Sequence, residues 1–328
     1  MTSIQQLIET VISDPQAVVL SMIVNVEGSS YRKNGAWMLH QENGNRIGVV
    51  SGGCLENDLS ARASQLFHTG KVQLVDYDLS SEDDLGWGRG VGCNGVVTVL
   101  VRDIDENFRQ FLGLIHKQLL QKEPVHLLQS MIDFNDYTYM DQDISSQVGM
   151  PLNNDIERPF QTKAGQFEID DKRFYSQLIW PQPAIYILGA GVDARPLAML
   201  ATQVGYGVHL FDWREGVCNK RHFPTAASIE IGDLRKLITQ VNFSPLDSVV
   251  VMTHDFQTDA AIVNHLLNLK LLYFGILGSK KRSSRLFDGA IPSRVHTPIG
   301  LSIGADGPEE IAVSVVAELI AVRQAGKL

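Results

Sequence analysis

The stretch from residue 184 to residue 212 constrains the fold of this chain more than any other part of the sequence. A short apolar run leads into Gly189-Ala190-Gly191-Val192-Asp193-Ala194, and a second apolar run ends at Asp212. A G-x-G-x-x-A turn between a strand and a helix, with an acidic residue about twenty positions later, is typical of a dinucleotide-binding βαβ unit. The sequence therefore predicts a Rossmann-like unit that begins near residue 183.

Later apolar stretches predict that this unit belongs to a larger parallel sheet. They recur at residues 228–231, 248–253 and 272–277, and a helical pattern at residues 260–267 separates the last two. Strands that alternate with helices favour a doubly wound sheet with short crossover connections. We therefore predict a C-terminal doubly wound domain over residues 183–328.

Within this domain, three residues are suited to contact a dinucleotide. Gly189 and Gly191 leave the backbone bare for a pyrophosphate, and Asp212 is expected at a ribose hydroxyl. Asp193 opposes this interpretation, because its carboxylate lies inside the turn and would repel the pyrophosphate. The fold alone therefore does not establish NAD or NADP as a ligand.

Two further candidates follow later strands of the same sheet, at the edge where doubly wound sheets bind ligands. His254 suits a proton shuttle or a ligand contact, and equally a solvated or helix-capping histidine. Gly278 and Ser279 precede the basic run at residues 280–285. That run suits a phosphate, although such a run is more often a solvated helix face.

A second kind of site is indicated in the first half of the chain by Ser51-Gly52-Gly53-Cys54-Leu55-Glu56. The glycine pair lets the backbone turn sharply and exposes its N–H groups, and the helical pattern that follows places a positive dipole end there. This arrangement favours anions and makes Cys54 a candidate thiolate. The alternative is a small buried residue in a strand-to-helix turn, which is the more common role of an isolated cysteine.

A second glycine-rich segment with a cysteine occupies residues 86–95. Glycine stands at every second position up to Gly92, immediately before Cys93. Such a segment allows another molecule to approach the backbone, or forms a flexible surface loop. Together with Arg32 and neighbouring cations, the two segments predict one electropositive pocket that contains the thiols of Cys54 and Cys93.

The sequence predicts three segments along the chain. An N-terminal α/β domain with a mixed sheet spans residues 1–103, and a connecting region of helix, strands and loops spans residues 104–182. The prolines at 181–183 mark the start of the C-terminal domain. Its last helix, residues 308–323, is apolar nearly all round and is expected to be buried between domains or across a dimer interface. No internal repeat is visible.

The composition is that of a globular protein of about two domains. The 328 residues are 44% hydrophobic and 20% charged, and the net charge of -9 argues against binding nucleic acid or an anionic membrane. Cys54, Cys93 and Cys218 are too far apart for a zinc motif. An odd set of thiols, without a leader or membrane-spanning segment, predicts a cytoplasmic protein.

These motifs, taken in order, resemble the XdhC/CoxI family of accessory proteins of xanthine dehydrogenase and carbon monoxide dehydrogenase. The resemblance covers both ends of the chain and leaves residues 104–180 without a match. It rests on these segments: Gly28-Ser29-Ser30-Tyr31-Arg32, Ser51-Gly52-Gly53-Cys54-Leu55-Glu56, Gly92-Cys93-Asn94-Gly95, Gly189-Ala190-Gly191, Met252-Thr253-His254-Asp255, Gly275-Ile276-Leu277-Gly278-Ser279 and Ala317-Glu318-Leu319-Ile320.

The resemblance implies a chaperone of the molybdenum cofactor (molybdopterin), an accessory factor without turnover of its own. Such a protein protects the cofactor while a cysteine desulfurase sulfurates it, and delivers it to a molybdenum hydroxylase. It further implies that Cys54 and Cys93 are candidate ligands of molybdenum or sulfur. A homodimer is the expected assembly.

Two other functions remain open from the residues alone. One is an NAD(P)-dependent oxidoreductase, in which His254 acts as acid or base and Asp212 selects NAD over NADP. The other is a nucleotide-sensing regulatory scaffold that docks on another enzyme. Molybdopterin binding agrees best with the residues, because a phosphate, a flat pterin and a soft metal favour cations, bare glycine backbone and thiols together.

Overall fold

The computed structural model of the chain describes residues 2–79, 95–140, 147–149, 163–169, 171–287 and 290–326. The chain divides into two compact units, residues 2–181 and 182–328. The division falls inside Pro181-Gln182-Pro183. Across the described residues, none of the helices is both long enough and apolar enough to span a membrane.

The first half of the first unit is a five-stranded sheet with two helices. In this sheet the strand order is β3-β2-β1-β5-β4. Its elements are α1 (Ile4–Ser13), β1 (Val18–Gly28), β2 (Trp37–Gln41), β3 (Arg46–Gly48), α2 (Glu56–Leu66), β4 (Val72–Asp78) and β5 (Gly95–Asp103). All of its described strand pairs are antiparallel, where a mixed sheet was expected. The short connections from β1 to β2 and from β2 to β3 favour this arrangement, because parallel neighbours require long crossovers.

This topology brings several connections to one edge of the sheet. The last residue of β1, Gly28, pairs with the first residue of β5, Gly95. Strand β2 begins, and strands β3 and β4 end, at the same edge, because neighbouring strands alternate in direction. Three parts of the chain therefore lie at this edge of the sheet. They are the connection at residues 29–36, the connection at residues 49–55 and the start of β5.

The second half of the first unit repeats this arrangement. Its elements are α3 (Glu106–Leu120), β6 (Val125–Ser130), β7 (Tyr137–Met140), β8 (Gln147–Gly149), β9 (Gly165–Ile169) and β10 (Lys172–Ile179). The strand order, β8-β7-β6-β10-β9, corresponds strand for strand to the order of the first sheet. A helix precedes the first strand in each half. Residues 104–179 thus contribute a sheet to the first unit, and the internal repeat was missed in the sequence.

Strand β1 is buried on both faces, which explains its nearly continuous apolar sequence. Val18, Leu20 and Met22 face a core shared with α1, α3 and the second sheet. Val19 and Ile23 point the opposite way, into a second core beneath α2. The first sheet is therefore covered on both sides within this unit.

The second unit is a doubly wound parallel sheet, as predicted. Its strand order is β13-β12-β11-β14-β15-β16, and all described pairs are parallel. The elements are β11 (Ala184–Leu188), α4 (Ala194–Gln203), β12 (Gly207–Asp212), β13 (Ser228–Ile231), α5 (Leu234–Gln240), β14 (Ser248–Val251), α6 (Phe256–Leu266), β15 (Tyr273–Ile276), α7 (Lys280–Ser284), β16 (Val295–His296) and α8 (Gly307–Ala325). The order reverses between β11 and β14, the position at which such sheets bind ligands.

The C-terminal helix α8 covers one face of this sheet together with α4. Ala312, Val315 and Leu319 are buried in the core that these two helices share with the sheet. Val313 is exposed, and Ile311 and Ile320 are only half-buried. Within the second unit, therefore, α8 buries one face, and its burial between domains or across a dimer interface stays a prediction.

Candidate functional site

Ser51 and Glu56 hold the loop between β3 and α2 in shape. The Ser51 backbone N–H donates to Glu56 Oε1 at 2.8 Å, and the Ser51 hydroxyl donates to Glu56 Oε2. Ser51 Oγ accepts hydrogen bonds from the N–H groups of Gly53 and Leu55, each at 3.1 Å. Burial raises the pKa of Glu56, but the Ser51 hydroxyl and backbone N–H donors outweigh burial and keep that pKa below its ordinary value. Both residues are thus engaged within the loop itself.

The glycine pair at the tip of this loop presents bare backbone to solvent. Gly53 has φ +113, a conformation that side chains rarely adopt, and nothing lies within 4 Å of a Cβ placed there. A Cβ placed on Gly52 would lie 3.6 Å from the ring of Tyr31. Tyr31 belongs to the connection after β1, so two of the connections on this edge meet at Gly52.

Cys54 is a half-buried thiol outside any disulfide. Its side chain packs against the core beneath α2. The helix begins at Glu56 with Leu55 as its N-cap, so Cys54 lies just before the helix rather than in its first turn. The left-handed backbone of Gly53 and the contacts of Ser51 shape these residues as a loop and delay the start of the helix.

The connection at residues 29–36 adds cations to this edge. A cavity of about 280 Å3 is lined by Tyr31, Arg32, Lys33, Asn34, Gly35 and Ala36. Arg32 is half-buried and Lys33 is exposed, and the Ser30 hydroxyl donates to the Arg32 carbonyl. A small cavity that contains two cationic side chains suits an anionic group.

Gly92 and Cys93 lie outside the described residues, so the predicted approach of Cys93 to Cys54 stays a prediction. The chain enters β5 at Gly95, where a Cβ would lie 2.9 Å from the Ser29 nitrogen. The entry to β5 therefore passes directly against the basic connection. Among the described residues, no group of three or more His, Cys, Asp or Glu side chains is placed to hold a metal ion.

In the second unit, the glycine turn after β11 lies at the point where the strand order reverses. Gly189 has φ +110, and a Cβ there would lie 2.5 Å from the Met252 carbonyl oxygen, so only glycine fits between β11 and β14. Gly191 is less confined, since a Cβ there would meet only the His254 ring, at 3.9 Å. Asp193 Oδ2 pairs with His254 Nε2 at 3.2 Å. The acidic residue that opposed pyrophosphate binding thus has a cationic partner when His254 is protonated.

Asp212 has a different environment from the one predicted. Its side chain is 0% exposed, and Oδ2 accepts from the Ala190 N–H and from Arg214 Nη2, each at 2.7 Å. Oδ1 accepts from the Arg214 backbone N–H and Nε, each at 2.9 Å. Burial raises the pKa of Asp212, and these donors more than offset that effect, so the pKa is lowered. The carboxylate fixes the glycine turn and Arg214, and is not presented to a ribose.

Gly278 and Ser279 form the turn between β15 and α7. Ser279 is the N-cap of α7, where its hydroxyl accepts the Arg282 N–H at 3.2 Å. Gly278 has φ +150, and a Cβ there would lie 3.3 Å from Arg282 Cδ. The turn thus positions the basic run at the carboxyl edge of the sheet.

Sequence reasoning missed Tyr31 and Asp259 as parts of these sites. Tyr31 stands inside one of the family-like motifs, but only the fold brings its ring to Gly52. Asp259 is buried in α6 and binds Arg282. An acidic residue on the inward face of an amphipathic helix was the available signal, because such residues are almost never buried without a partner.

Comparisons with known proteins place these residues in a family. Residues 11–78 match the model of the XdhC and CoxI family, and residues 185–319 match the model of the XdhC Rossmann domain. A Bacillus subtilis protein, named as a probable subunit of xanthine dehydrogenase, is 38% identical over 99% of this chain and 98% of its own length. The chain belongs to the XdhC and CoxI family.

Two further proteins are similar to this XdhC and CoxI family chain. The Escherichia coli protein "Molybdenum cofactor insertion chaperone PaoD" is 24% identical over 96% of this chain and 86% of its own length. A crystal structure from Bacillus halodurans, titled as a xanthine dehydrogenase, is 36% identical, with a TM-score of 0.85 over 99% of this chain and 96% of that one. Similarity to both proteins therefore extends over nearly the whole length of the chain.

The family matches include most of the residues described above. The XdhC and CoxI match at residues 11–78 contains Arg32 and the loop that carries Cys54. The Rossmann-domain match at residues 185–319 contains the glycine turn and the basic run. Gly92 and Cys93 lie between the two matched ranges.

Proposed function

We propose that this chain is a molybdenum-cofactor-binding chaperone that serves a molybdenum hydroxylase of the xanthine-dehydrogenase type. The names of two relatives support it, since one is called a probable subunit of xanthine dehydrogenase and the other a molybdenum cofactor insertion chaperone. The observation that carries the proposal is the meeting of the Cys54 loop and the basic connection at one edge of the first sheet, with Tyr31 against Gly52.

The residues at this edge fit the chemistry of such a cargo. Its phosphate is anionic and requires cationic donors, which Arg32 and Lys33 provide beside a cavity. Its metal and sulfur atoms are soft and favour thiols, and Cys54 is a thiol outside any disulfide. The bare backbone of Gly52 and Gly53 permits close approach of a flat ring system.

In its finer form, the proposal assigns roles to individual side chains and partners. Cys54 and Cys93 hold the sulfur-rich end of the cargo, and Arg32 and Lys33 hold its phosphate. A cysteine desulfurase is the partner for sulfuration, and a homodimer is the working assembly. The task of this chain is to bind, shield and release the cargo rather than to turn over a substrate.

The oxidoreductase alternative has lost its main support. It required Asp212 at a ribose, but both oxygens of that carboxylate accept hydrogen bonds from Ala190 and Arg214. A buried acceptor that is already satisfied has little capacity for a ligand hydroxyl. We therefore do not propose NAD(P)-dependent turnover.

A reconstitution assay tests the proposed function. The protein is purified from a host that makes molybdopterin, and its molybdenum and oxidised pterin are quantified before it is mixed with cofactor-free xanthine dehydrogenase. The expected result is bound molybdenum and a gain of hydroxylase activity that depends on this protein.

Protein variants measured in the same assay test the roles of Arg32 and Lys33. Replacing Arg32 and Lys33 together by Gln should lower cargo occupancy about tenfold, because two charge-assisted contacts are lost. Lys117→Gln, on the exposed face of α3, is the matched control and should bind as wild type does. Wild-type protein that carries neither molybdenum nor pterin, and that does not stimulate the hydroxylase, contradicts the proposed function.

A further inference from the structure

The second unit contains a cavity beside the basic run that follows β15. Its volume is about 510 Å3, and its lining comprises Phe256, Gln257, Ser279, Lys281, Arg282 and Arg285. These residues come from the start of α6 and from α7 with its flanks. The cavity therefore lies beyond the carboxyl ends of β14 and β15, at the ligand-binding edge of a doubly wound sheet. Its volume is in the range of small-molecule sites, roughly 300–1,000 Å3.

A buried carboxylate fixes one wall of the cavity. Arg282 Nη2 donates to Asp259 Oδ2 at 2.5 Å, and the Asp259 side chain is 0% exposed. The other carboxylate oxygen accepts from the Thr253 hydroxyl at 2.5 Å, and Arg282 Nη1 donates to the Leu277 carbonyl at 3.3 Å. Arg282 is thus held in one orientation before any ligand arrives, which lowers the entropic cost of binding.

The charges that line the cavity are not balanced. Asp259 neutralises Arg282, but neither Lys281 nor Arg285 forms an ion pair with any described residue. Asp255, the N-cap of α6, is a further carboxylate nearby, and it interacts electrostatically with Arg282 and Arg235. The three cations of the lining outnumber these two carboxylates, which leaves a net positive charge. An anion is therefore the ligand that this cavity attracts.

One wall of the cavity is flat. The Arg285 guanidinium carbon lies over the Phe256 ring, 4.9 Å from its centroid, which is a cation–π contact. A planar guanidinium can stack on a second flat ring, which a lysine ammonium cannot do. The cavity thus combines a platform for a planar ring with cations for a phosphate.

We propose that this cavity binds a phosphate-bearing small molecule with a flat heteroaromatic ring. Lys281 and Arg282 take the phosphate, and the ring lies on the Arg285–Phe256 pair. Nucleoside monophosphates and phosphorylated pterins share this chemistry. The site belongs to the second unit and contains none of the Cys54-loop residues, so it stands or fails independently of the proposed function.

Calorimetric titration of the full-length protein tests the proposal with four probes. They are adenosine monophosphate, a pterin with a phosphate monoester, inorganic phosphate and unphosphorylated adenosine. Whichever ring-bearing phosphate is the ligand should bind about tenfold or more tightly than inorganic phosphate or adenosine, because only such a probe uses both halves of the cavity. Tighter binding of the nucleotide or of the pterin identifies the class of ligand, and weaker binding in the Lys281 and Arg285 variants described next assigns it to this cavity.

Single substitutions distinguish the contribution of the phosphate-binding side chains from that of the ring-binding side chains. Lys281→Gln should weaken every phosphate probe about tenfold, whereas Arg285→Lys should weaken the ring-bearing probe far more than inorganic phosphate. Lys280→Gln is the matched control, because Lys280 is exposed and does not line the cavity. Both tested side chains are exposed, and melting temperatures will verify that the variants fold. The proposal is overturned if no probe binds below millimolar concentration, if inorganic phosphate binds as tightly as the ring-bearing probes, or if the Lys281 and Arg285 variants bind as wild type does.

Discussion

His40 is a buried histidine that connects the first sheet to the helix after the Cys54 loop. Its Nε2 lies 2.9 Å from Ser21 Oγ and its Nδ1 lies 3.4 Å from Ser60 Oγ, and Ser60 also bonds to the Glu56 carbonyl. Burial lowers the pKa of His40 to about 4, with a further lowering from Arg46 and an opposing effect of Glu56. The folded protein therefore excludes a proton that the unfolded chain accepts near pH 6.5.

This exclusion predicts a loss of stability in mild acid. Because the folded pKa is depressed, the unfolded state binds more protons between about pH 6.5 and pH 4, and stability falls as the pH falls through that window. The exclusion of this proton should lower the free energy of unfolding by about 3 kcal/mol in total across the window. His40→Gln keeps polar contacts to the serines but does not titrate, so its urea midpoint should fall less over this window. A His40→Gln variant with the wild-type slope would disprove the assignment.

Asp212 shows how a correct motif can predict a wrong contact. The spacing of the acidic residue from the glycine turn was as expected, and β12 ends at Asp212. The tertiary structure then placed the Ala190 N–H and the Arg214 guanidinium within reach of the carboxylate. A buried carboxylate binds the donors that the fold supplies, and sequence spacing does not reveal an arginine that turns back two residues later.

Replacing Asp212 should therefore affect stability. Asp212→Asn places an amide N–H₂ group against donors and leaves Arg214 without its buried partner, so the free energy of unfolding should fall by about 3 kcal/mol. Asp306→Asn is a suitable control, since Asp306 is exposed and its side chain makes no capping hydrogen bond. Urea titration measures both. An Asp212→Asn variant as stable as wild type would show that these contacts do not hold the turn.

Among the secondary-structure elements, the two sheets of the first unit show what a sequence pattern conceals. The shared strand order is a property of backbone pairing, and pairing requires alternation rather than particular side chains. The turns then diverged, because residues 29–36 carry Arg32 and Lys33 whereas the corresponding turn at residues 131–136 carries Asp133 and Asp136. Of these two turns, therefore, only the first carries cations, and no repeat is visible in the sequence.

Glu318 connects α8 to β15 and β16, the last strands of the parallel sheet in the second unit. Its Oε2 accepts from the Tyr273 hydroxyl at 2.5 Å and the Gly300 N–H at 2.8 Å, and its Oε1 pairs with His296 Nδ1 at 2.9 Å. Burial raises the pKa of Glu318, but Tyr273, Gly300 and His296 together lower it. The ionised carboxylate is thus the form that holds α8 in place.

Glu318→Gln should loosen this helix. The amide is a weaker acceptor than the carboxylate and replaces one of its two oxygens by an N–H₂ group, so the variant should lose about 2 kcal/mol of unfolding free energy at neutral pH. Because the folded pKa is lowered, the wild-type advantage should shrink as the pH falls below the ordinary glutamate value. Amide hydrogen exchange of α8 measures the effect. Glu309→Gln, exposed on the same helix, is the control; unchanged exchange in Glu318→Gln would rule out the anchoring role.

At the scale of the whole molecule, each unit has its own hydrophobic cores. Residues 2–181 enclose the cores around β1, and residues 182–328 enclose the two cores on either side of the parallel sheet. A segment with its own core is able to fold alone.

This organisation predicts that the chain can be divided without unfolding either part. Fragments 1–181 and 182–328, expressed separately, should each give a cooperative melting transition, because each retains the contacts of its own cores. A fragment cut inside the second sheet of the first unit, such as 1–140, should instead lose cooperativity. Gradual, non-cooperative melting of either predicted fragment would contradict the division.

How much the sequence predicts depends on how local the determining interaction is. The Rossmann-like unit was predicted correctly, because its strand, glycine turn and helix follow one another directly from Ala184 onward. The second sheet of the first unit was missed as a sheet, because strands β6 and β10 pair across about 45 residues of chain. The same limit applies to the site: the Ser51 loop was identified from its glycines, whereas the contact with Tyr31 depends on the folded sheet.

Cofactor retention by cysteine variants tests the central claim, that the Cys54 edge binds the molybdenum cofactor. Wild-type protein, Cys54→Ala, and the double variant Cys54→Ala, Cys93→Ala are purified from a molybdopterin-making host, and bound pterin and molybdenum are measured per polypeptide. Cys218→Ala is the control, because Cys218 is buried and burial raises its pKa to about 11. We predict that Cys54→Ala lowers retention about tenfold, with little change in melting temperature, since a half-buried thiol contributes little packing. Wild-type levels of both pterin and molybdenum in the double variant would contradict the claim.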